Sequence, residues 1–268
     1  MSKTFIIAAG HGLRPDGSFD PGAINSKDKT REYDYNQAIR NRVIDYLHKD
    51  LPGVVIYSDQ GLLGAGASDP NWKGVLKYAD LTPRKWDLVL EIHHDYELAK
   101  PAGFGIYPRP NYIFNQDMSR LADSITANYR VLGLPTKPSY ADIRGLGLVR
   151  GRKYPSLIWE CSKIEAVSQA VLVMRAEGIA RGIIDYFAPN SKHFVKVNGN
   201  KLVVNFKSNA DKTTFYKALN LPLNTTGGKL DQAIIVYKLS KNLYPSAIVT
   251  PTVLARMGLT GEFTHSNA

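Results

Sequence analysis

The chain has 268 residues, which is enough for one α/β domain of ordinary size and a smaller second domain. Its hydrophobic content of 44% and charged content of 22% are those of a globular protein and exclude a disordered or fibrous chain. The single cysteine, Cys161, excludes an internal disulfide and a metal site built from several thiolates. Any bound metal must therefore be held by histidine and carboxylate groups.

Short apolar runs bounded by polar or turn-forming residues predict strands at 4–8, 54–57, 88–92, 103–107 and 156–159. Apolar residues at helical spacing predict helices between and after them, at about 32–49, 72–78, 118–132 and 164–187. Alternating strands and helices are typical of a mostly parallel sheet flanked by helices. The predicted fold class is therefore α/β.

The apolar periodicity stops at residues 188–191, Ala-Pro-Asn-Ser, which we interpret as a linker. Beyond it, two apolar runs on either side of Asn-Gly-Asn at 198–200 predict a hairpin, and helices are predicted at 211–219 and 252–257. The sequence thus predicts two domains, 1–188 and 189–268, of which the second is small and α+β.

The net charge of +10 is concentrated in this second part. From residue 190 onward, ten Lys and Arg residues stand against three Asp and Glu residues, so the segment carries +7. A basic segment attracts polyanions in general, including nucleic acid, anionic lipid and polymers such as teichoic acid. Acidic and basic groups nearly balance in the rest of the chain and no nucleic-acid recognition motif is present, which argues against a nucleic-acid partner.

Histidine and glutamate side chains follow three of the predicted strands. His11 follows the first strand, His93 and His94 follow the third, and Glu160 follows the last. Because the carboxyl ends of parallel strands meet at one edge of a sheet, these side chains and Glu32, at the start of the first helix, are expected to converge. Two imidazoles and a carboxylate are a common catalytic zinc site, and a further carboxylate beside the metal-bound water can act as general base.

Neighbouring side chains of the third strand leave several roles open. His93 and His94 are adjacent, so they point to opposite faces and only one is expected to bind metal. Glu91 lies in an apolar strand, where a carboxylate either has a partner such as a ligand side chain or is exposed at an edge. Glu165 and Glu177 fit solvated positions on the last long helix.

Five strings occur in a fixed order: GHG with DPGAI at 10–24, REYDYNQAI at 31–39, LEIHHD at 90–95, AGFGIYP at 102–108 and YPSLIWE at 154–160. Together they resemble the zinc-dependent N-acetylmuramoyl-L-alanine amidases of the amidase 3 type, which include bacterial wall-remodelling enzymes and phage endolysins. Around the third ligand of that family, where Ser, Ala and Asn are usual, this chain has Glu91, His94 and Asp95.

The resemblance implies that His11, Glu32 and His93 bind Zn²⁺ and that Glu160 is the catalytic residue. The implied reaction is hydrolysis of the amide bond between the lactyl group of N-acetylmuramic acid and L-alanine in peptidoglycan. It also implies that 1–188 is the catalytic domain and that 189–268 binds the cell wall, with an anionic wall polymer as one candidate ligand. The protein is expected to be an endolysin from a bacteriophage.

The same residues are compatible with several alternatives. His11 could close a glycine turn, and Glu32 and Glu160 could each favour a helix N-terminus through the helix dipole. The chain could also be another zinc hydrolase of the His-Glu-His type, such as a carboxypeptidase. A third alternative is a non-catalytic wall-binding or phage tail component.

The opening segment, MSKTFIIAAGHG, has only a short apolar run and no small-residue cleavage site. No stretch approaches the ~18 apolar residues of a membrane span. The sequence therefore predicts a protein made in the cytoplasm without a signal peptide, which another component must carry to the wall on which it acts.

Overall fold

The computed structural model describes residues 2–13, 18–59, 79–80, 82–96, 100–165, 168–189, 209–225, 228–241, 256–257 and 259. The strands in these segments are β1 (Thr4–Ala9), β2 (Gly12–Leu13), β3 (Phe19–Asp20), β4 (Val55–Ser58), β5 (Leu88–Asp95), β6 (Phe104–Tyr107), β7 (Tyr140–Ala141) and β8 (Ser156–Lys163). The helices are α1 (Glu32–Asp50), α2 (Asn115–Val131), α3 (Gln169–Phe187), α4 (Asn209–Ala218) and α5 (Gly228–Ser240).

Six strands form one sheet in the order β4-β1-β5-β8-β6-β7. The first four of these are mutually parallel, β6 is antiparallel to β8, and β7 is parallel to β6. β2 and β3 form a separate antiparallel pair beside the end of β1. The predicted α/β class with a mostly parallel sheet is confirmed.

Alternation along the strands separates two apolar layers. On one face, Phe5, Leu90 and Trp159 pack with the buried sides of α1, α2 and α3. On the other face, Ile6 and Val89 join a second cluster that also contains Trp86, Phe104, Ile106, Leu148, Val149, Tyr154 and Ile158. Because β5 and β8 lie in the middle of the sheet, both of their faces are covered and their side chains alternate between these two environments.

Several boundaries differ from those predicted. β5 runs three residues further and β8 four, because their pairing continues past a register irregularity to Asp95 and Lys163. α3 begins at Gln169 instead of 164, since the Ser168 hydroxyl accepts a hydrogen bond from the backbone N–H of Val171 and caps the helix. The short strand β7 was not predicted, and the helix predicted at 72–78 lies outside the described residues.

In the C-terminal part, α4 corresponds to the helix predicted at 211–219, whereas α5 was missed because its β-branched run is not typical of a helix. These helices share a small apolar cluster formed by Phe215, Tyr216, Leu219, Leu230, Ile234, Met257 and Leu259. The predicted hairpin and most of the predicted helix at 252–257 lie outside the described residues, so the division into two domains stays a prediction. No helix in the described part of the chain is both long and apolar enough to cross a membrane.

The crossing of α2 and α3 generates a stability prediction. A Cβ atom added at Gly182 would lie 2.5 Å from the Cα atom of Ile125. We expect Gly182→Ala to lower the free energy of unfolding by about 1–3 kcal/mol, because the two helix backbones must move apart. In an ordinary helix, replacing glycine by alanine raises the free energy of unfolding by up to about 1 kcal/mol. Chemical denaturation measures the effect, with Ala127→Gly on the exposed side of α2 as the control for helix propensity. A stabilised Gly182→Ala protein would contradict the close approach.

Candidate metal centre

The first side chain of the site follows β1, where the backbone turns sharply. The Gly10 N–H donates to the Ile92 carbonyl over 2.8 Å, which fixes the end of β1 against β5. A Cβ at Gly10 would overlap the imidazole of His93, so glycine lets that ring lie directly against the backbone. His11 comes next and adopts a left-handed conformation with φ 66°. The left-handed backbone conformation at His11 thus directs its side chain back across the edge of the sheet.

Glu32, the first residue of α1, lies 3% exposed beneath this turn. Its backbone N–H donates to the Ala23 carbonyl over 2.7 Å, and its Oε2 accepts the Ala23 N–H over 2.9 Å. Gly22 has φ +64°, and a Cβ there would be 2.6 Å from Glu32 Oε2. The loop before α1 therefore closes tightly over the carboxylate, which only glycine at position 22 permits.

His11, Glu32 and His93 offer ligand atoms that all lie within 4.8 Å of one another. His11 Nε2 is 3.2 Å from Glu32 Oε2, and His93 Nδ1 is 3.2 Å from Glu32 Oε1. The grouping expected from the sequence is thus present. His93 carries this contact, while His94 points to the opposite face of β5, as alternation along the strand requires.

The remaining nitrogen of each imidazole faces another carboxylate. His11 Nδ1 lies 3.1 Å from Asp20 Oδ2, and His93 Nε2 lies 3.2 Å from Glu91 Oε2. A histidine that donates one N–H to a carboxylate presents its other nitrogen, unprotonated, to a metal. The donor set of two imidazoles and one carboxylate therefore fits Zn²⁺, with the outer carboxylates fixing each tautomer. Of the two alternatives for Glu91, a partner or exposure at an edge, the structure shows a partner, His93.

The charged forms of His11, Glu32 and His93 stabilise one another. Burial opposes ionisation of Glu32, but hydrogen bonds from His11 and His93 outweigh it and hold the pKa of Glu32 below its usual range. Burial likewise disfavours a charged His93, yet Glu32 and Glu91 raise its pKa well above the ordinary value. The pKa of His11 is raised against burial mainly by Glu32. The carboxylates around the two imidazoles therefore favour a positive charge at this centre.

Glu160 lies beside this group. It is the Cα partner of His93 in the parallel pairing of β5 and β8, so both side chains project from the same face at the same level. Its Oε2 is buried and has no hydrogen-bond partner among the described residues. Burial, reinforced by the charges of Glu32 and Asp95, raises the pKa of Glu160 to about 7. A buried carboxyl with such an oxygen is suited to exchanging a proton.

The opposite face of β5 carries a buried polar group that sequence reasoning did not resolve. His94 is 2% exposed, with Nδ1 2.8 Å from Asn36 Oδ1 and Nε2 3.0 Å from an Arg175 guanidinium nitrogen. Burial, followed by the positive charge of Arg175, holds the pKa of His94 well below its ordinary value. Arg175 also contacts Glu165 over 3.4 Å.

Sequence reasoning missed the roles of Asp20, Asn36 and Arg175. Asn36 follows Glu32 by one helical turn, a spacing that could have suggested contact between them. Nothing in the sequence singles out Arg175. The prediction that Glu177 is solvated was wrong, since it is 2% exposed and paired with Arg181 one turn later. α3 is covered on nearly every side, so Glu177 and Arg181 pair with each other instead of facing solvent.

Comparisons with known proteins agree with this arrangement. A family model described as N-acetylmuramoyl-L-alanine amidase matches residues 5–184. The CwlD amidase from Clostridioides difficile, solved in complex with the GerS lipoprotein, is similar with a TM-score of 0.55 and 20% identity, over 70% of this chain and 100% of that chain. The catalytic domain of CwlV, an N-acetylmuramoyl-L-alanine amidase from Bacillus (Paenibacillus) polymyxa var. colistinus, gives 0.52 and 21%, over 69% and 97%.

The catalytic domain of the CD27L endolysin, which targets Clostridia difficile, has a TM-score of 0.51 and 16% identity, over 68% of this chain and 97% of that domain. A search of curated protein sequences finds no match. The fold and the family match define an amide hydrolase of peptidoglycan. Because the family model spans more than half of its length, the chain belongs to the N-acetylmuramoyl-L-alanine amidase family. The predicted enzyme class is confirmed.

The electrostatics of the centre predict how metal binding depends on pH. The raised pKa values of His11 and His93 mean that protons must leave before the imidazoles bind a cation. We expect Zn²⁺ affinity to fall as pH drops, by about tenfold per pH unit for each imidazole that becomes protonated. Calorimetry in buffers of different ionisation enthalpy should show proton release.

The control for this prediction is His48→Gln, which alters an exposed histidine of α1 and should leave the profile unchanged. His93→Gln should weaken binding at every pH. Equal affinity at pH 5 and pH 8 in the unmodified chain would be incompatible with a site made of two imidazoles.

Proposed function

We propose that this chain hydrolyses the amide bond between the lactyl group of N-acetylmuramic acid and L-alanine, using Zn²⁺ held by His11, Glu32 and His93. The observation that supports this most directly is the convergence of these three side chains within 4.8 Å, with Glu160 level with His93 on the adjacent strand. The N-acetylmuramoyl-L-alanine amidase family match supports the choice of bond.

Each residue of the centre has a defined task in this proposal. When bound, Zn²⁺ supplies Lewis-acid polarisation of the amide carbonyl and makes a water molecule more acidic. Glu32 supplies the anionic ligand, and its two oxygens are held by the backbone N–H groups of Ala23 and His94. Asp20 and Glu91 keep the imidazoles oriented by accepting their outer N–H groups.

Glu160 moves the protons. Its carboxylate accepts a proton from the attacking water, and the same carboxyl then delivers it to the departing alanine nitrogen. A pKa raised by burial to about 7 favours the return step, while a cation nearby favours the ionised form needed for the first step. Both directions of transfer are therefore accessible near neutral pH.

The experiment that tests the bond is digestion of purified peptidoglycan with mass spectrometry of the products and metal analysis of the same protein. We expect intact stem peptides with new L-alanine amino termini and one bound Zn²⁺ per chain. New reducing sugar ends, or shortened stem peptides, would assign the chain to a different hydrolase. Wall binding without any cleavage would point to a non-catalytic component.

Replacing Glu160 tests its role in proton transfer. We expect Glu160→Gln to lower kcat by about 10²–10⁴-fold, because the amide cannot accept the proton, while Zn²⁺ content stays unchanged. Steady-state kinetics on soluble muropeptides and metal analysis measure the two effects. The matched control is Asp123→Asn, the same change at an exposed position of α2, which should retain full activity. Near-normal kcat for Glu160→Gln would remove Glu160 from the mechanism.

We also propose that 189–268 is a separate domain that holds the enzyme on the wall through anionic polymer. Its charge of +7 and the apolar cluster shared by α4 and α5 support this. The endolysin neighbour favours a lytic, phage-derived role within the same proposal, in which the protein acts outside the membrane.

Charge reversal tests the targeting role on the full chain. We expect changing Lys212, Lys217 and Lys229 to Glu to weaken wall binding at least tenfold and reduce its salt dependence, since fewer counterions are released. Sedimentation with intact walls and with walls stripped of anionic polymer measures it. The control reverses three lysines of the first domain, Lys27, Lys85 and Lys153, with equal change of net charge. Equal loss of wall binding in both variants would mean that only net charge matters, and would exclude a dedicated wall-binding domain.

A further inference from the structure

A buried chain of hydrogen bonds connects α3 to the candidate metal ligand Glu32. Arg175 contacts His94 Nε2 over 3.0 Å, and His94 Nδ1 contacts Asn36 Oδ1 over 2.8 Å. The Asn36 amide nitrogen in turn lies 3.3 Å from both Glu32 Oε1 and the Gly10 carbonyl. Asn36 is fully buried, and His94 and Arg175 are 2% and 4% exposed.

The groups at the two ends of this hydrogen-bond network determine which atom donates and which accepts in each of its hydrogen bonds. At one end, the Glu32 carboxylate and the Gly10 carbonyl only accept, so the Asn36 amide nitrogen must face them and its Oδ1 must face His94. At the other end, the Arg175 guanidinium only donates, so His94 Nε2 must be unprotonated. His94 is therefore neutral with its proton on Nδ1, which donates to Asn36. No other arrangement satisfies all of these groups.

These hydrogen bonds end on Glu32 Oε1, the oxygen that His93 Nδ1 also approaches. Glu32 Oε1 receives the Asn36 amide N–H and the backbone N–H of His94, over 3.3 and 3.0 Å. Both of these hydrogen bonds are buried. They restrain the carboxylate, whose oxygens also lie 3.2 Å from His11 and His93.

We propose that Asn36 and His94 are positioning residues that preorganise Glu32 for metal binding, with Arg175 locking the His94 tautomer. The inference rests on the proposed zinc site and extends it to three residues that contact neither metal nor substrate. A carboxylate already held by fixed donors loses little freedom when a cation arrives, and loss of such outer contacts typically weakens metal binding about 10–100-fold.

Variants that differ in bond polarity but little in size test the proposal. Asn36→Asp keeps an acceptor for His94 but replaces the donor to Glu32 by an oxygen, and His94→Leu removes both bonds. We expect each to weaken Zn²⁺ affinity about 10–100-fold in chelator competition. His94→Gln retains one donor and one acceptor, so its affinity should fall less than that of His94→Leu. The control, Tyr35→Phe, keeps the ring 5.6 Å from His94 and should bind as tightly as the unmodified chain.

Imidazole ¹⁵N NMR of the unmodified chain supplies a readout that does not depend on any variant folding. We expect His94 as the neutral Nδ1–H tautomer, and a proton on Nε2 would overturn the proposal. Unchanged Zn²⁺ affinity in Asn36→Asp and His94→Leu would also overturn it, while leaving the amidase proposal intact if those proteins still cleave wall. Failure of the unmodified chain to bind Zn²⁺ would instead defeat the proposed function, whatever tautomer His94 adopts.

Discussion

The buried carboxylate of Glu32 is the constraint on which the rest of the site depends. An anion at 3% exposure is costly unless it is paired and hydrogen-bonded, and here it receives two imidazoles and two backbone N–H groups, from Ala23 and His94. Those donors come from the loop before α1, the end of β1 and the end of β5. One charge therefore determines how three separate segments meet, and the loop glycines let them approach.

Parallel strand pairing explains the position of Glu160, the remaining group of the site. β5 lies between β1 and β8, so the end of β1 delivers His11 on one side and the register with β8 delivers Glu160 level with His93 on the other. Register in a sheet buried on both faces is strongly specified, because a slip of one residue would exchange His93 with His94 and turn the polar groups into the helical core.

The sequence was sufficient for the parts that follow from local pattern and strand direction. It predicted the main strands, α1 to α3 and the convergence of His11, Glu32 and His93, because the carboxyl ends of parallel strands share an edge. It could not predict the contacts of Arg175 or the burial of Glu177, since these depend on how α3 is rotated and how completely it is covered. The catalytic role of Glu160 and the ligand roles stay predictions that only metal and activity measurements test.

Alternation along β5 has a further consequence for how the site is maintained. Glu91 and His93 lie on the face of the second apolar layer, whereas His94 faces the helices, so one strand contacts the centre directly on one side and reaches Glu32 through Asn36 on the other. The polar chain inside the helical layer makes core packing and ligand geometry interdependent. A buried network that loses one member leaves its other groups unsatisfied, so in the proposed network a change at Arg175 would reach Glu32 through His94 and Asn36. In the proposed zinc site, α3 would thus both complete the core and help to hold the carboxylate that receives the cation.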